Sequence, residues 1–159
     1  MVARYAADTT VRSEQSRMEI ERTLKRYGAT AFMYYEEAGR AAIAFRASGR
    51  MVKFLLPLPD PRARAFTHTP EKGLLRTPEK QADAYEQAIR QRWRALSLVV
   101  KAKLEAVEAG ISIFEDEFMA NIVLPDGKTV GDFMRPQIAL AYDNGGMPKL
   151  LPDYSQEAR

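Results

Sequence analysis

The clearest hydrophobic pattern of the chain lies in residues 79–109, where apolar side chains recur at spacings of three and four. This period predicts one long amphipathic helix. Thr77 is a suitable N-cap, Pro78 suits the first helical position, and Gly110 ends the pattern. The apolar stripe consists of Tyr85, Ile89, Trp93, Leu96, Val100, Leu104 and Val107. A basic stripe, predicted to point away from the core, consists of Arg90, Arg94 and Lys101.

Before this helix the hydrophobic period is two, which predicts strands. Gly39 and Ser48-Gly49 are turn signals, so the strands should form an antiparallel meander. A two-residue turn at Ser48-Gly49 places Phe45 opposite Val52 and gives the sheet one apolar face. The predicted strands are residues 31–36, 41–47 and 50–56. The other face is half apolar and half basic, and it carries Met33, Tyr35, Ala42, Ala44, Arg46, Met51 and Lys53.

Three shorter helical patterns flank these elements. Residues 13–27 repeat apolar side chains at helical spacing, and residues 112–115 have the form of a capping box. Thr129 can cap a last helix, which Pro136 interrupts unless it falls in the first turn or at a kink. The order predicts an α+β fold: an N-terminal helix, a three-stranded antiparallel meander, a long amphipathic helix packed on the sheet, and two shorter C-terminal helices.

Residues 57–78 contain five prolines and no sustained hydrophobic period. We interpret them as a long basic loop, and loops of this length without secondary structure are usually functional or disordered. The predicted organisation is a single domain at residues 1–147 followed by a C-terminal tail at residues 148–159.

Composition excludes several kinds of chemistry. The chain has 159 residues, no cysteine and one histidine, His68, so disulfides, Cys-ligated zinc, iron–sulfur clusters and a thiol nucleophile are excluded. We predict a non-enzymatic protein without a cofactor or metal. No run approaches the roughly 18 apolar residues of a membrane span, and the first eight residues lack the apolar stretch of a signal peptide. We therefore expect a cytoplasmic protein without a membrane partner.

The formal net charge of +3 is unevenly distributed along the chain. Residues 40–76 carry eight basic and two acidic side chains, whereas residues 105–159 carry four basic and ten acidic ones. A basic middle can attract a polyanion, or it can be neutralised by the acidic end of the same protein.

Cations for phosphates and aromatic rings for bases are what single-stranded nucleic acid requires of a protein surface. Basic residues of the sheet and of the following loop, together with two aromatic residues, could form such a groove. No motif for base-specific readout is present, so binding should be led by the backbone and be sensitive to salt. The predicted nucleic-acid-binding residues are Tyr35, Arg46, Lys53, Arg62, Arg64, Phe66 and Arg76.

These features also have other interpretations. The cations could simply solubilise an exposed face, and His68 fits a surface histidine because no positioned partner is identified. Glu105, Glu108 and residues 115–117 could hold Mg²⁺ in a nuclease site, but the last three equally suit the first turn of a helix. The main alternative function is a protein-interaction module that inhibits or regulates a host factor, and self-association into a homo-oligomer is also open.

Six strings spread over most of the chain are RYAADTT at residues 4–10, RYGA at 26–29, FLLPLP at 54–59, RWRAL at 92–96, KAKLEAVEAGI at 101–111 and VLPDGKTVG at 123–131. Through these strings, the chain resembles a family of small uncharacterised proteins of tailed phages and prophages. The resemblance implies a viral or mobile-element origin in a bacterial host cell, and no activity. The order helix, meander, long helix is also similar in topology to the core of single-strand annealing proteins, which implies no functional residue here.

Overall fold

The structure, a computed structural model, describes residues 12–37 and 39–146, so the predicted tail at residues 148–159 lies outside the described residues. The elements in chain order confirm the predicted α+β fold. They are α1 (Ser13–Arg26), β1 (Ala31–Glu37), β2 (Arg40–Ala47), β3 (Arg50–Pro57), α2 (Arg64–Thr67), α3 (Pro78–Glu108), α4 (Phe114–Phe118), a 3₁₀ turn (Met119–Asn121) and α5 (Val130–Asn144).

The three strands form one antiparallel sheet in the order β1-β2-β3. Ser48 and Gly49 have positive φ angles of 49° and 70°, which suit a two-residue hairpin turn because its twist then matches that of the strands. Phe45 pairs with Val52 as predicted, and the register continues along the whole of β2 and β3. Since side chains alternate between faces, this register decides which residues enter the core.

One face of the sheet forms the core together with α1, α3 and α4. Trp93 of α3 is 1% exposed, as its place in the apolar stripe predicts. Phe118 of α4 meets the ring of Phe45 edge to face, with the ring centroids 6.0 Å apart. Burial of each such side chain stabilises the fold by about 1.5–3 kcal/mol. The helices therefore cover this face of the sheet stably. Other buried members are Ile20, Leu24, Ile43, Val52, Phe54, Leu56, Leu96, Val100, Leu104 and Phe114.

The packing of α1 beside α3 gives one residue of the basic stripe a partner that the pattern did not show. Arg94 Nη1 donates to Glu19 Oε2 of α1 at 2.6 Å, so this partly exposed cation lies against a neighbouring helix. Lys101, further along the same stripe, is exposed as predicted. The periodicity of one helix says nothing about a second helix along its flank, which is why the two residues differ.

Residues 57–78 were predicted to lack secondary structure, and this prediction is wrong. The segment contains α2 and an antiparallel bridge between His68 and Leu75. Backbone hydrogen bonds from Thr69 N to Leu74 O and from Arg76 N to Thr67 O, both 2.8 Å, close the turn. We call residues 64–76 the basic hairpin. Its hydrogen bonds are local and carry no hydrophobic period, so the pattern gave no sign of them.

The segment after α4 covers the outer edge of β3. Val123 N donates to Met51 O at 2.8 Å, and Asn121 Nδ2 donates to Lys53 O at 3.1 Å. The predicted capping box at residues 112–115 is wrong, because α4 has Ile113 at its N-cap and no side-chain cap. The predicted cap at Thr129 is confirmed, and α5 continues to Asn144 with Pro136 inside it. Across the described residues, every helix is too short or too polar to cross a membrane.

Candidate nucleic-acid interface

The face of the sheet opposite the core, which we call the open face, has the predicted composition. Strand pairing arranges its side chains in rows across β1, β2 and β3. Tyr35 and Leu55 are each 50% exposed and Met33 is 55% exposed. The successive rows are Ala31–Arg46–Met51, Met33–Ala44–Lys53 and Tyr35–Ala42–Leu55. The open face is therefore accessible, with Arg46 and Lys53 in two adjacent rows and Tyr35 and Leu55 in the next row.

Small residues occupy the middle strand of the open face. Ala42 is only 7% exposed although it lies on this face. Its paired neighbours, Tyr35 and Leu55, are large and stand on either side of its methyl group. In this row two large side chains therefore flank and largely cover the small side chain of the middle strand.

The hydroxyl of Tyr35 donates a hydrogen bond to a carboxylate oxygen of Glu37. This bond raises the pKa of Tyr35 above its ordinary value. The same carboxylate accepts a hydrogen bond from Arg40, and the bonds from Tyr35 and Arg40 lower the pKa of Glu37. The negative charge of Glu37 is thus paired at this end of the open face, and half of the Tyr35 side chain stays available for contact.

Arg46 and Lys53 occupy adjacent rows of the open face. Ordinary strand spacing puts their Cα atoms about 8 Å apart and those of Tyr35 and Arg46 about 14 Å apart. Within the described part of the chain, every carboxylate lies more than 4.0 Å from the charged atoms of Arg46 and Lys53. No described carboxylate therefore competes with an external anion for these two cations.

Nearly all cations of the basic block at residues 40–76 likewise lack a carboxylate partner among the described residues. Among its eight cations, Arg40 alone pairs with a carboxylate of residues 12–37 or 39–146. Three carboxylates of the acidic final third form ion pairs, and their partners lie outside this block. These pairs are Glu105 with Arg26, Glu117 with Lys103, and Asp132 with Arg135. In the described chain the acidic end therefore leaves the basic middle unneutralised.

The seven predicted binding residues do not lie on one common surface. Tyr35, Arg46 and Lys53 share the open face, whereas Arg64 and Arg76 belong to the basic hairpin. Phe66 lies edge to face against Tyr85 of α3, with ring centroids 5.6 Å apart, so its ring joins α2 to α3. Arg62 is exposed in the turn before α2. The sheet and hairpin residues therefore form two basic surfaces.

Two residues of these surfaces were absent from the predicted set. Leu55 lies on the open face, and strand alternation could have placed it there. Lys72 lies beside Arg64 and Arg76 in the basic hairpin. Its signals in the sequence are its place in the basic block and the neighbouring Gly73, a glycine that suits a turn and has a φ of 61° in the structure.

Comparison of the chain with protein-family models, with curated proteins and with solved structures found no match in any of the three. Among the described residues, three or more His, Cys, Asp or Glu side chains nowhere come together as they would to hold a metal ion. The acidic residues considered for Mg²⁺ instead include Glu105 and Glu117, each in an ion pair.

Proposed function

We propose that the protein binds single-stranded nucleic acid on the open face, without catalysing a reaction. The observation that carries this proposal is that Arg46 and Lys53, which pair with no carboxylate of residues 12–37 or 39–146, lie on the same accessible face as the half-exposed Tyr35. Arg46 and Lys53 contact phosphates, and the ring of Tyr35 stacks on a base.

The dimensions of the open face suit a short length of strand. The Cα atoms of Tyr35 and Arg46 are about 14 Å apart, so the open face has room for a few nucleotides of a single strand. The strand crosses the sheet from Tyr35 of β1 to Arg46 of β2 and Lys53 of β3. Stacking on an aromatic ring contributes about 1–3 kcal/mol per base and tolerates any base, so this mode of binding is independent of sequence.

A duplex fits this surface less well than a single strand does. Its bases are already stacked on one another, so Tyr35 has no base face to contact, and only the charge attraction of Arg46 and Lys53 remains. With the resemblance to proteins of tailed phages, the proposed setting is phage replication or recombination in the bacterial host cell.

Fluorescence anisotropy tests this function directly. A labelled single-stranded oligonucleotide and its duplex are titrated with the protein at low ionic strength and then at rising salt. Binding of the single strand in preference to the duplex, with affinity that falls steadily as salt increases, supports the proposal. Absence of binding to either form at low salt would reject it.

One observation favours the alternative of a protein-interaction module. None of the 15 residues of α5 is buried, and Phe133, Ile138 and Leu140 are each about half exposed. Exposed apolar surface of this kind marks protein contacts. Size-exclusion chromatography with light scattering, together with capture from a nuclease-treated bacterial lysate, tests it. A stoichiometric partner or second copy that Leu140→Glu removes supports the module, and a monomer without partners contradicts it.

A further inference from the structure

The basic hairpin lines an open surface cavity of about 650 Å³. Its wall contains three cations and a single carboxylate, that of Glu71. The cations are Arg64, Lys72 and Arg76, joined by the backbone of Gly73. This cavity is separate from the open face, because none of the residues that line it belongs to the sheet.

Hydrogen bonds within the hairpin hold the cavity wall in place. Arg76 Nε donates to His68 O at 3.1 Å, which fixes the direction of this half-buried side chain and leaves its two terminal nitrogens to other acceptors. The Nδ1 atom of His68 lies 2.8 Å from Thr67 Oγ1. The backbone bridge between His68 and Leu75 closes the same turn. Two sides of the cavity are thus already arranged before any ligand arrives.

Gly73 brings a third cation to the cavity. A Cβ atom on Gly73 would lie 3.1 Å from Arg64 Nη2, so the guanidinium of Arg64 rests against the glycine at the tip of the hairpin. The φ angle of Gly73 is 61°, a conformation that glycine adopts at little cost. Glycine therefore serves both the turn and the close approach of Arg64.

The charges in the cavity are unbalanced. Throughout the described residues, no carboxylate lies within 4.0 Å of the charged nitrogens of Arg64, Lys72 or Arg76. Glu71, which also lines the cavity, offsets one of the three positive charges. A group with a charge close to −2 would complete the balance, and a phosphomonoester carries about −1.5 to −2 at pH 7.

We propose that the basic hairpin is a binding site for a phosphomonoester. The planar guanidinium groups of Arg64 and Arg76 bind its oxygens in pairs, and Lys72 adds a point charge. An internal phosphodiester carries one negative charge and binds there more weakly. A free nucleotide and the terminal phosphate of a nucleic-acid strand share this chemistry. The site goes beyond the proposed function, because it requires neither Tyr35 nor the open face.

The test is an NMR titration of the isotope-labelled full chain with three matched ligands: adenosine monophosphate, the cyclic diester of the same nucleoside, and adenosine. Amide shifts at residues 68–76 that saturate with the monoester, and are weaker or absent with the other two, support the site. Inorganic phosphate and oligonucleotides with or without a 5′-phosphate then distinguish a free phosphate from a strand end. Equal shifts with all three adenosine ligands, or none with the monoester, would overturn the proposal.

Variants link the shifts to the cavity. Arg64→Gln and Lys72→Gln should each weaken monoester binding about tenfold, the usual loss for one charge-assisted hydrogen bond. Arg62→Gln is the matched control, because Arg62 is an exposed cation close to α2 that does not line the cavity. Circular dichroism should show wild-type melting for all three. Monoester binding that is unchanged in Arg64→Gln and Lys72→Gln contradicts the site. The double variant Arg46→Gln with Lys53→Gln should leave monoester binding unchanged, because it alters only the open face.

Discussion

Tyr35 of β1 lies directly opposite Ala42 of β2 in the antiparallel ladder. A large ring therefore stands beside a single methyl group, which buries Ala42 and leaves half of Tyr35 exposed. A bulkier residue in the middle strand would fill this space. The pairing of a large with a small residue thus leaves the ring of Tyr35 standing out from the open face.

The ring of Tyr35, and not its hydroxyl, should carry binding. Tyr35→Ala is expected to weaken the affinity for a single-stranded oligonucleotide about tenfold, since stacking contributes about 1–3 kcal/mol per base. Tyr35→Phe keeps the ring and should bind nearly as the wild type does. Tyr142→Ala, at an 86% exposed position on α5, is the control. Equal affinity of Tyr35→Ala and Tyr142→Ala in an anisotropy titration would contradict the stacking role.

Arg46 and Lys53 should determine the salt dependence of binding. For a single strand, each phosphate contact adds about 0.7 to the slope of log affinity against log salt concentration, so Arg46→Gln with Lys53→Gln should lower the slope by about 1.4. Lys101→Gln with Lys128→Gln changes the net charge equally at two exposed positions outside the open face. If both double variants shift the slope alike, binding follows overall charge and the open face has no particular part in it.

Gly131 should be intolerant of alanine although it lies in a helix. A Cβ atom there would come 2.8 Å from Ala120 O in the 3₁₀ turn, which is too close for any real contact. Alanine normally favours helices by about 1 kcal/mol over glycine, but Gly131→Ala should destabilise the protein by about 1–3 kcal/mol through overpacking. Gly146→Ala, with nothing within 4 Å, is the control. Thermal melting that shows Gly131→Ala to be as stable as the wild type would refute the close contact.

The start of α5 should depend on pH. Thr129 Oγ1 donates to Asp132 Oδ2 at 2.8 Å and Thr129 N donates to it at 3.1 Å. These bonds, with a further one from Arg135, lower the pKa of Asp132. A carboxyl with a lowered pKa stabilises the folded state above its unfolded pKa of about 3.9. That contribution is lost as the pH falls through the folded pKa.

Amide hydrogen exchange of residues 130–133 measures this effect. Protection should decrease in the wild type as the pH drops below about 4. Asp132→Asn should show less protection at neutral pH and a weaker dependence on acid. A variant that loses protection at acid pH as steeply as the wild type would show that another group is responsible.

Local rules were sufficient to predict the sheet. Ser48-Gly49 fixes the turn, the turn fixes the register, and alternation along the strands then assigns Arg46 and Lys53 to the open face. The long helix could also be predicted, because its cap at Thr77 and its apolar stripe are both visible in the sequence.

Contacts between distant segments were not predictable from these patterns. Arg94 meets Glu19 across 75 residues, and the position of α1 beside α3 follows from packing and not from periodicity. The basic hairpin depends on backbone hydrogen bonds among residues 67–76 that leave no hydrophobic signal. The division of the cations into two surfaces follows from this fold. The distribution of charge along the sequence therefore showed how many cations there are but not how they are arranged in space.

The most direct test of the open face as the binding surface is an NMR titration of the labelled protein with a short single-stranded oligonucleotide that has no terminal phosphate. If the strand binds there, amide shifts will concentrate at residues 31–35, 42–46 and 51–55. Shifts that spare these strands and fall on α5 instead would contradict binding at the open face.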